Sequence, residues 1–163
     1  MIHYEESLLI SASSRQVFNY IDDHKSFSSH MKKPSWMLGG GSMDISTDKD
    51  NGQKVGSHVR MRGKVFGLDL SLDEVITRRE PPRVKEWTTI GTPRLIIIGY
   101  YRMKVNLLPQ SQKTLLRVAI DYSLPEKNPW PGKIFGGLYA SWCVRQMIRD
   151  TGRFFEGFST SGI

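Results

Sequence analysis

Tyr101-Arg102-Met103-Lys104-Val105-Asn106-Leu107 and Leu116-Arg117-Val118-Ala119-Ile120-Asp121-Tyr122 are the segments that decide the fold. In the first, Tyr101, Met103, Val105 and Leu107 alternate with Arg102, Lys104 and Asn106. In the second, Leu116, Val118, Ile120 and Tyr122 alternate with Arg117, Ala119 and Asp121. One face is apolar and the other wet, the pattern of antiparallel strands with one buried side. The alternation continues upstream. Val55, Ser57, Val59, Met61, Gly63 and Val65 interleave with His58, Arg60, Arg62 and Lys64, and Leu68, Leu70 and Leu72 interleave with Asp69, Ser71 and Asp73. Asn51-Gly52, inside a polar run, is a strong turn signal between two extended segments of one domain. Pro81-Pro82 cannot lie mid-sheet and marks a turn before the strand that carries Trp87.

On the N-terminal side, residues 2 to 10 read as extended. Ser11-Ala12-Ser13-Ser14 offers helix-capping hydroxyls before Val17, Phe18 and Ile21, which fall at helical spacing. Asp22-Asp23 ends that helix, and residues 24 to 32 suit another short helical piece. The chain after Gly132 is helical, about 25 residues long at 1.5 Å each. Its apolar stripe is Ala140, Cys143, Val144, Met147, Thr151, Phe154 and Phe158, with Arg145, Arg149 and Arg153 away from it. One strand, two short helices, about six strands and one long helix make an α+β domain spanning residues 1–163. A sheet with one buried face needs a cover, and only the last helix is long enough.

Composition narrows the function classes. The 163 residues suit one domain, able to bury a core without staples. The lone Cys143 permits no internal disulfide, so a reducing compartment is the simpler expectation. The N-terminus lacks a basic segment followed by an apolar one, and the longest apolar run, Leu95-Ile96-Ile97-Ile98, is far too short to cross a bilayer. A cytoplasmic location follows as the expectation. Lys and Arg number 23 against 16 Asp and Glu, a formal charge of +7. Such a balance favours anionic partners. The charges are scattered, however, and show no aromatic interleaving of a recognised kind, so nucleic acid ranks last among candidate partners.

The order of elements, with Ile10-Ser11-Ala12-Ser13-Ser14-Arg15-Gln16-Val17-Phe18 through Asp22, Glu80-Pro81-Pro82-Arg83-Val84 before a strand, and the C-terminal helix with Arg149-Asp150, resembles the START-like or birch-pollen-allergen-like superfamily. That group (SRPBCC) includes polyketide cyclase/dehydrase and lipid-transport proteins. The resemblance implies a helix-grip fold, a curved antiparallel sheet wrapped around the long C-terminal helix, with a ligand cavity between them. Many relatives carry a Trp just after the first helix pair. Here Phe27, His30 and Met31 occupy that region and Trp36 follows later. Fold alone does not settle function, since the superfamily hosts binders and enzymes alike.

The inward set supplies the candidate ligand-binding residues: Met61, Leu70, Leu72, Trp87, Tyr101, Met103, Ile120, Tyr122, Cys143 and Met147. Methionines adapt to irregular ligands, and tyrosines bring a hydroxyl to an apolar wall. The alternative is that these side chains simply fill a core. Strand parity with Leu70 and Leu72 turns Glu74 inward, where it would orient a ligand or act as acid or base. Against this, Asp73-Glu74 breaks the alternation, and the rarity of buried Glu favours a bulge or strand end that returns it to water. His3, His24, His30 and His58 show no metal-ligand spacing. His58 shares a polar face with Arg60 and Arg62, Cys143 reads as an inert core thiol, and Gly39 to Gly41 make no phosphate loop. No metal and no cofactor are expected.

Trp130, Phe135 and Trp142, beside Lys133 and Arg145, would suit transient contact with an anionic membrane. Packing beneath the loop at 125–132 is the plainer alternative. Three functions remain: binding or transport of a hydrophobic lipid- or polyketide-like molecule, a cyclase or dehydratase using the same pocket, and a protein-interaction domain.

Overall fold

The alternating segments build a single sheet in the computed structural model, which describes residues 1–29, 41–65 and 67–160. Chain order is β1 (Ile2–Ile10), α1 (Ser14–Asp22), α2 (His24–Phe27), β2 (Ser42–Thr47), β3 (His58–Val65), β4 (Leu68–Glu80), β5 (Val84–Arg94), β6 (Tyr101–Gln110), β7 (Lys113–Tyr122) and α3 (Trp130–Thr160). The sheet order is β1-β7-β6-β5-β4-β3-β2, with every neighbouring pair antiparallel. From β2 onward each strand pairs with its successor, while α1 and α2 carry the chain from one sheet edge to the other. This is the helix-grip architecture, α+β, with α3 lying across the sheet's buried face.

Local chemistry fixes the connections. Ser13 caps α1 and exchanges hydrogen bonds with Gln16 in a capping box, which satisfies otherwise orphaned amides. Asn51 and Gly52 both adopt positive φ, 52° and 71°, in the connection between β2 and β3. That conformation suits Asn and Gly. The Asp48 carboxylate organises the same loop, accepting from the Asp50 and His58 amides and the Ser57 hydroxyl. Pro81 and Pro82 form the turn between β4 and β5.

The core lies between the sheet and α3 and α1. Val17, Phe18 and Ile21 of α1, Val105, Leu107, Leu116 and Val118 of β6 and β7, and Ala140 and Val144 of α3 are buried. Each large apolar side chain contributes on the order of 1.5–3 kcal/mol through burial. The long helix departs from expectation in two ways. It begins at Trp130, ahead of Gly132, and its buried line runs through Val144, Ile148, Thr151 and Phe155, leaving Phe154 42 % exposed. The expected stripe repeated every seven residues, and a straight helix drifts about 20° per heptad away from such a repeat. The drift brings Phe155 under and turns Phe154 outward, where its ring lies 4.5 Å from that of Tyr20. The side chain of Phe158, like His30, Met31, Trp36, Gly39 and Gly40, lies outside the described residues.

Two register shifts bend the β4–β5 pair, one between Ser71 and Asp73, where β5 carries the extra residues, and one between Ile76 and Arg78, where β4 does. Glu74 sits between them with inward parity intact. The second shift adds one residue and so reverses the parity beyond it, which brings Arg79 round to meet Asp22 of α1.

Candidate functional site

Beyond the Thr88–Arg102 pair, β5 and β6 no longer pair. The Thr89 hydroxyl fills the gap, accepting from the Tyr101 amide at 2.9 Å and fixing that residue's backbone. The connecting segment Leu95–Tyr100 crosses the opening and presents Leu95, Ile96, Ile97 and Ile98 to a cavity. Two glycines permit this close approach. A Cβ on Gly132 would stand 2.5 Å from the Ile97 carbonyl oxygen, and one on Gly99 2.8 Å from the Leu124 carbonyl oxygen.

The cavity has two chambers. The outer one, about 240 Å³, is walled by Met43, Val65, Leu70, the 95–98 segment, Trp130, Pro131, Phe135 and Tyr139. The inner one, about 40 Å³, is walled by Ser28, Met61, Leu72, Glu74, Trp87, Tyr101, Met103, Ile120, Cys143 and Met147. Leu95, Ile98 and Tyr139 belong to both walls, so the chambers adjoin.

Glu74 is buried, 1 % exposed, which corrects the expectation that it returns to water. Parity prevailed over residue statistics because the fold supplies partners: the Tyr101 hydroxyl donates to one carboxylate oxygen, and His24 Nε2 lies 3.2 Å from the other. The His24 ring stands edge-on to Trp87, 4.7 Å between centroids, beneath the β2–β3 connection where Gly52 leaves it room. Among the described residues, two buried side-chain polar atoms have no hydrogen-bond partner, His24 Nδ1 and Ser28 Oγ. Burial, reinforced by the neighbouring Glu74 charge, pushes the Tyr101 hydroxyl well above its ordinary range. Burial raises the Tyr139 hydroxyl well above that range too, and pushes the Cys143 thiol up to about 12. Tyr101 is therefore a proton donor in hydrogen bonds, and Cys143 a thiol with negligible thiolate near neutrality.

Of the sequence-selected residues, Met61, Leu72, Trp87, Tyr101, Met103, Ile120, Cys143 and Met147 meet at the inner chamber with Glu74, and Leu70 faces the outer one. Tyr122 lies apart from both walls, its ring under α3 at Gly136. Sequence reasoning passed over His24, Ser28, Tyr139 and the 95–98 run. A four-residue apolar run between Pro93-Arg94 and Gly99 was the available signal for the last. It also passed over a second buried polar group outside the cavity. Lys85 is fully buried, and its ammonium lies 3.1 Å from the Asp22 carboxylate, which Arg79 also holds through two hydrogen bonds. Burial alone would raise the Asp22 carboxyl, but the Arg79 hydrogen bonds and the Lys85 charge outweigh it and hold the group below its ordinary value. Burial pulls the Lys85 ammonium down, with Asp22 opposing.

At the cavity mouth Trp130 is 62 % and Phe135 46 % exposed. Ile134 and Leu138 are exposed beside them, and Trp142 is half-buried with its ring 5.9 Å from that of Tyr139. His58 points outward and meets the Asp73 carboxylate at 3.1 Å. Among the described residues no group of three or more His, Cys, Asp or Glu side chains is placed to hold a metal ion, and no helix is long and apolar enough to cross a membrane.

No family model matches the sequence, and no curated protein matches it. Solved structures do resemble the fold. An aromatase/cyclase from Streptomyces, Zhui, superposes with a TM-score of 0.68 at 14% identity, covering 95% of this chain and 93% of its own. Norcoclaurine synthase from Thalictrum flavum gives 0.67 at 15%, covering 94% and 92%. Ara h 8.0201 gives 0.63 at 11%, covering 96% and 98%. These likenesses establish the shared fold, the one that the sequence resemblance implied.

Proposed function

We propose that this protein binds a hydrophobic small molecule in the two-chambered cavity, apolar body outward and polar end at Glu74. The observation that carries the reading is the buried Glu74–Tyr101–His24 cluster at the closed end of an otherwise apolar cavity. Apolar walls supply affinity, and a few fixed polar groups set orientation. Lipid- and polyketide-like molecules fit this description. Binding is tested with an uncharged fluorescent probe, N-phenylnaphthylamine, against Leu95→Trp, which fills the throat between the chambers. The variant is expected to fold as the wild type does and to lose probe binding; undiminished binding would place the ligand elsewhere.

A second reading is catalytic, a cyclase- or dehydratase-type reaction in the same cavity. The same cluster favours it, because a carboxylate flanked by an imidazole and a phenol can take and return a proton. Norcoclaurine synthase, which shares the fold, has been solved with dopamine and hydroxybenzaldehyde, and Zhui is an aromatase/cyclase. Under this reading Glu74→Gln retains binding and loses turnover.

Loading from an anionic membrane surface extends the binding reading. Trp130, Ile134, Phe135 and Leu138 form an exposed apolar collar at the mouth. Residues 130–149 carry Lys133, Arg145 and Arg149 and no carboxylate, and Arg145 is paired with Glu6 of β1 at 2.9 Å. Apolar insertion backed by positive charge is the chemistry of interfacial binding.

A further inference from the structure

We infer that the inner chamber is a subsite for an uncharged hydroxyl group, so that the cavity selects alcohols or phenols over hydrocarbons, carboxylates and amines of the same skeleton. This rests on the binding reading above and specifies its ligand. Ser28, at the C-terminal end of α2, is 1 % exposed, lines the inner chamber, and its Oγ has no hydrogen-bond partner. A buried hydroxyl with no partner from its own chain is one that an incoming polar group can satisfy. The volume of about 40 Å³ admits one small group and not a ring.

The neighbours decide which group fits. Glu74 presents an acceptor and Ser28 Oγ both a donor and an acceptor. A hydroxyl donates to one and accepts from the other, so it satisfies both. A hydrocarbon end satisfies neither. A ligand carboxylate would stand beside Glu74 in a medium of low dielectric, where like charges repel strongly. An ammonium brings three donors and no acceptor, so it leaves the Ser28 proton unpaired, and apolar walls replace its lost water.

Four matched compounds test this: phenethyl alcohol, propylbenzene, hydrocinnamate and phenethylamine, each displacing N-phenylnaphthylamine from wild type and from Ser28→Ala. The alcohol is expected to bind about tenfold more tightly than propylbenzene, and hydrocinnamate and phenethylamine more weakly than the alcohol. In Ser28→Ala the preference for the alcohol should shrink towards one, with propylbenzene affinity kept or improved. Equal binding of alcohol and hydrocarbon by wild type overturns the subsite and leaves the binding reading standing. So does an unchanged preference in Ser28→Ala, or tightest binding by the amine or the acid. Failure of all four compounds and of the probe to bind overturns the binding reading itself, and the subsite with it.

Discussion

Asp22 is the residue on which the polar half of the core turns, because two cations from different strands converge on one carboxylate. Removing it leaves the Lys85 ammonium buried without its anion, a loss of about 3–5 kcal/mol. Asp22→Ala should therefore lower the unfolding free energy by about 3 kcal/mol in urea titrations. The acid dependence follows from the same group. Its folded value lies below the ordinary 3.8, so the folded chain holds fewer protons than the unfolded one as pH falls. The contribution is complete above that ordinary value and is lost as pH drops through the folded one. Wild-type stability should fall below about pH 4, and Asp22→Ala should show a shallower fall. Cys143, pushed up to about 12 by burial, should resist iodoacetamide at pH 8 in the native protein and react once unfolded. Much of the cavity wall was legible residue by residue, since period-two parity names which side chains face inward. Glu74 was legible by parity and misjudged by frequency. His24 and the Asp22–Lys85 pair were not legible, because their partners lie 50 and 63 positions away and only the folded sheet brings them together; Ser28, whose hydroxyl has no partner in the chain, left no signal at all.

At the scale of elements, the start of α3 and the 95–99 segment depend on each other. Gly132 has no room for a Cβ against the Ile97 carbonyl, so Gly132→Ala must separate the two backbones. An overpacked contact of this kind costs about 1–3 kcal/mol, and the expected result is a lowered Tm with weakened probe binding. The exposed collar makes a separate prediction. Ile134→Glu with Leu138→Glu, both exposed and outside the cavity walls, should abolish co-sedimentation with phosphatidylserine-containing vesicles and leave N-phenylnaphthylamine binding in solution unchanged. The alternating strands β3, β4, β6 and β7 and the long helix were readable because each repeats a pattern over eight residues or more, whereas β2, six residues long, carries no such run. The buried line of α3 was misplaced at its C-terminal end because a heptad repeat is not a 3.6-residue helix. The separation of β5 from β6 had no sequence signature beyond Pro93 and Gly99, since it reflects strand divergence and not residue preference.

For the whole molecule, the account is that a curved sheet and one long helix enclose an apolar-walled cavity with a polar cluster at its inner end. A chain built this way should gain stability from its ligand. At a hundredfold excess over Kd, mass action adds about 2.7 kcal/mol, which for a domain of this size raises Tm by roughly 5–10 °C. The most direct test of the account is native mass spectrometry of the protein purified from its own host, followed by organic extraction of what it carries. The account predicts a stoichiometric apolar molecule bearing a hydroxyl group. A clean unliganded mass, with no binding across a library of lipids and aromatic alcohols, would contradict it and favour a domain whose cavity serves only its own fold.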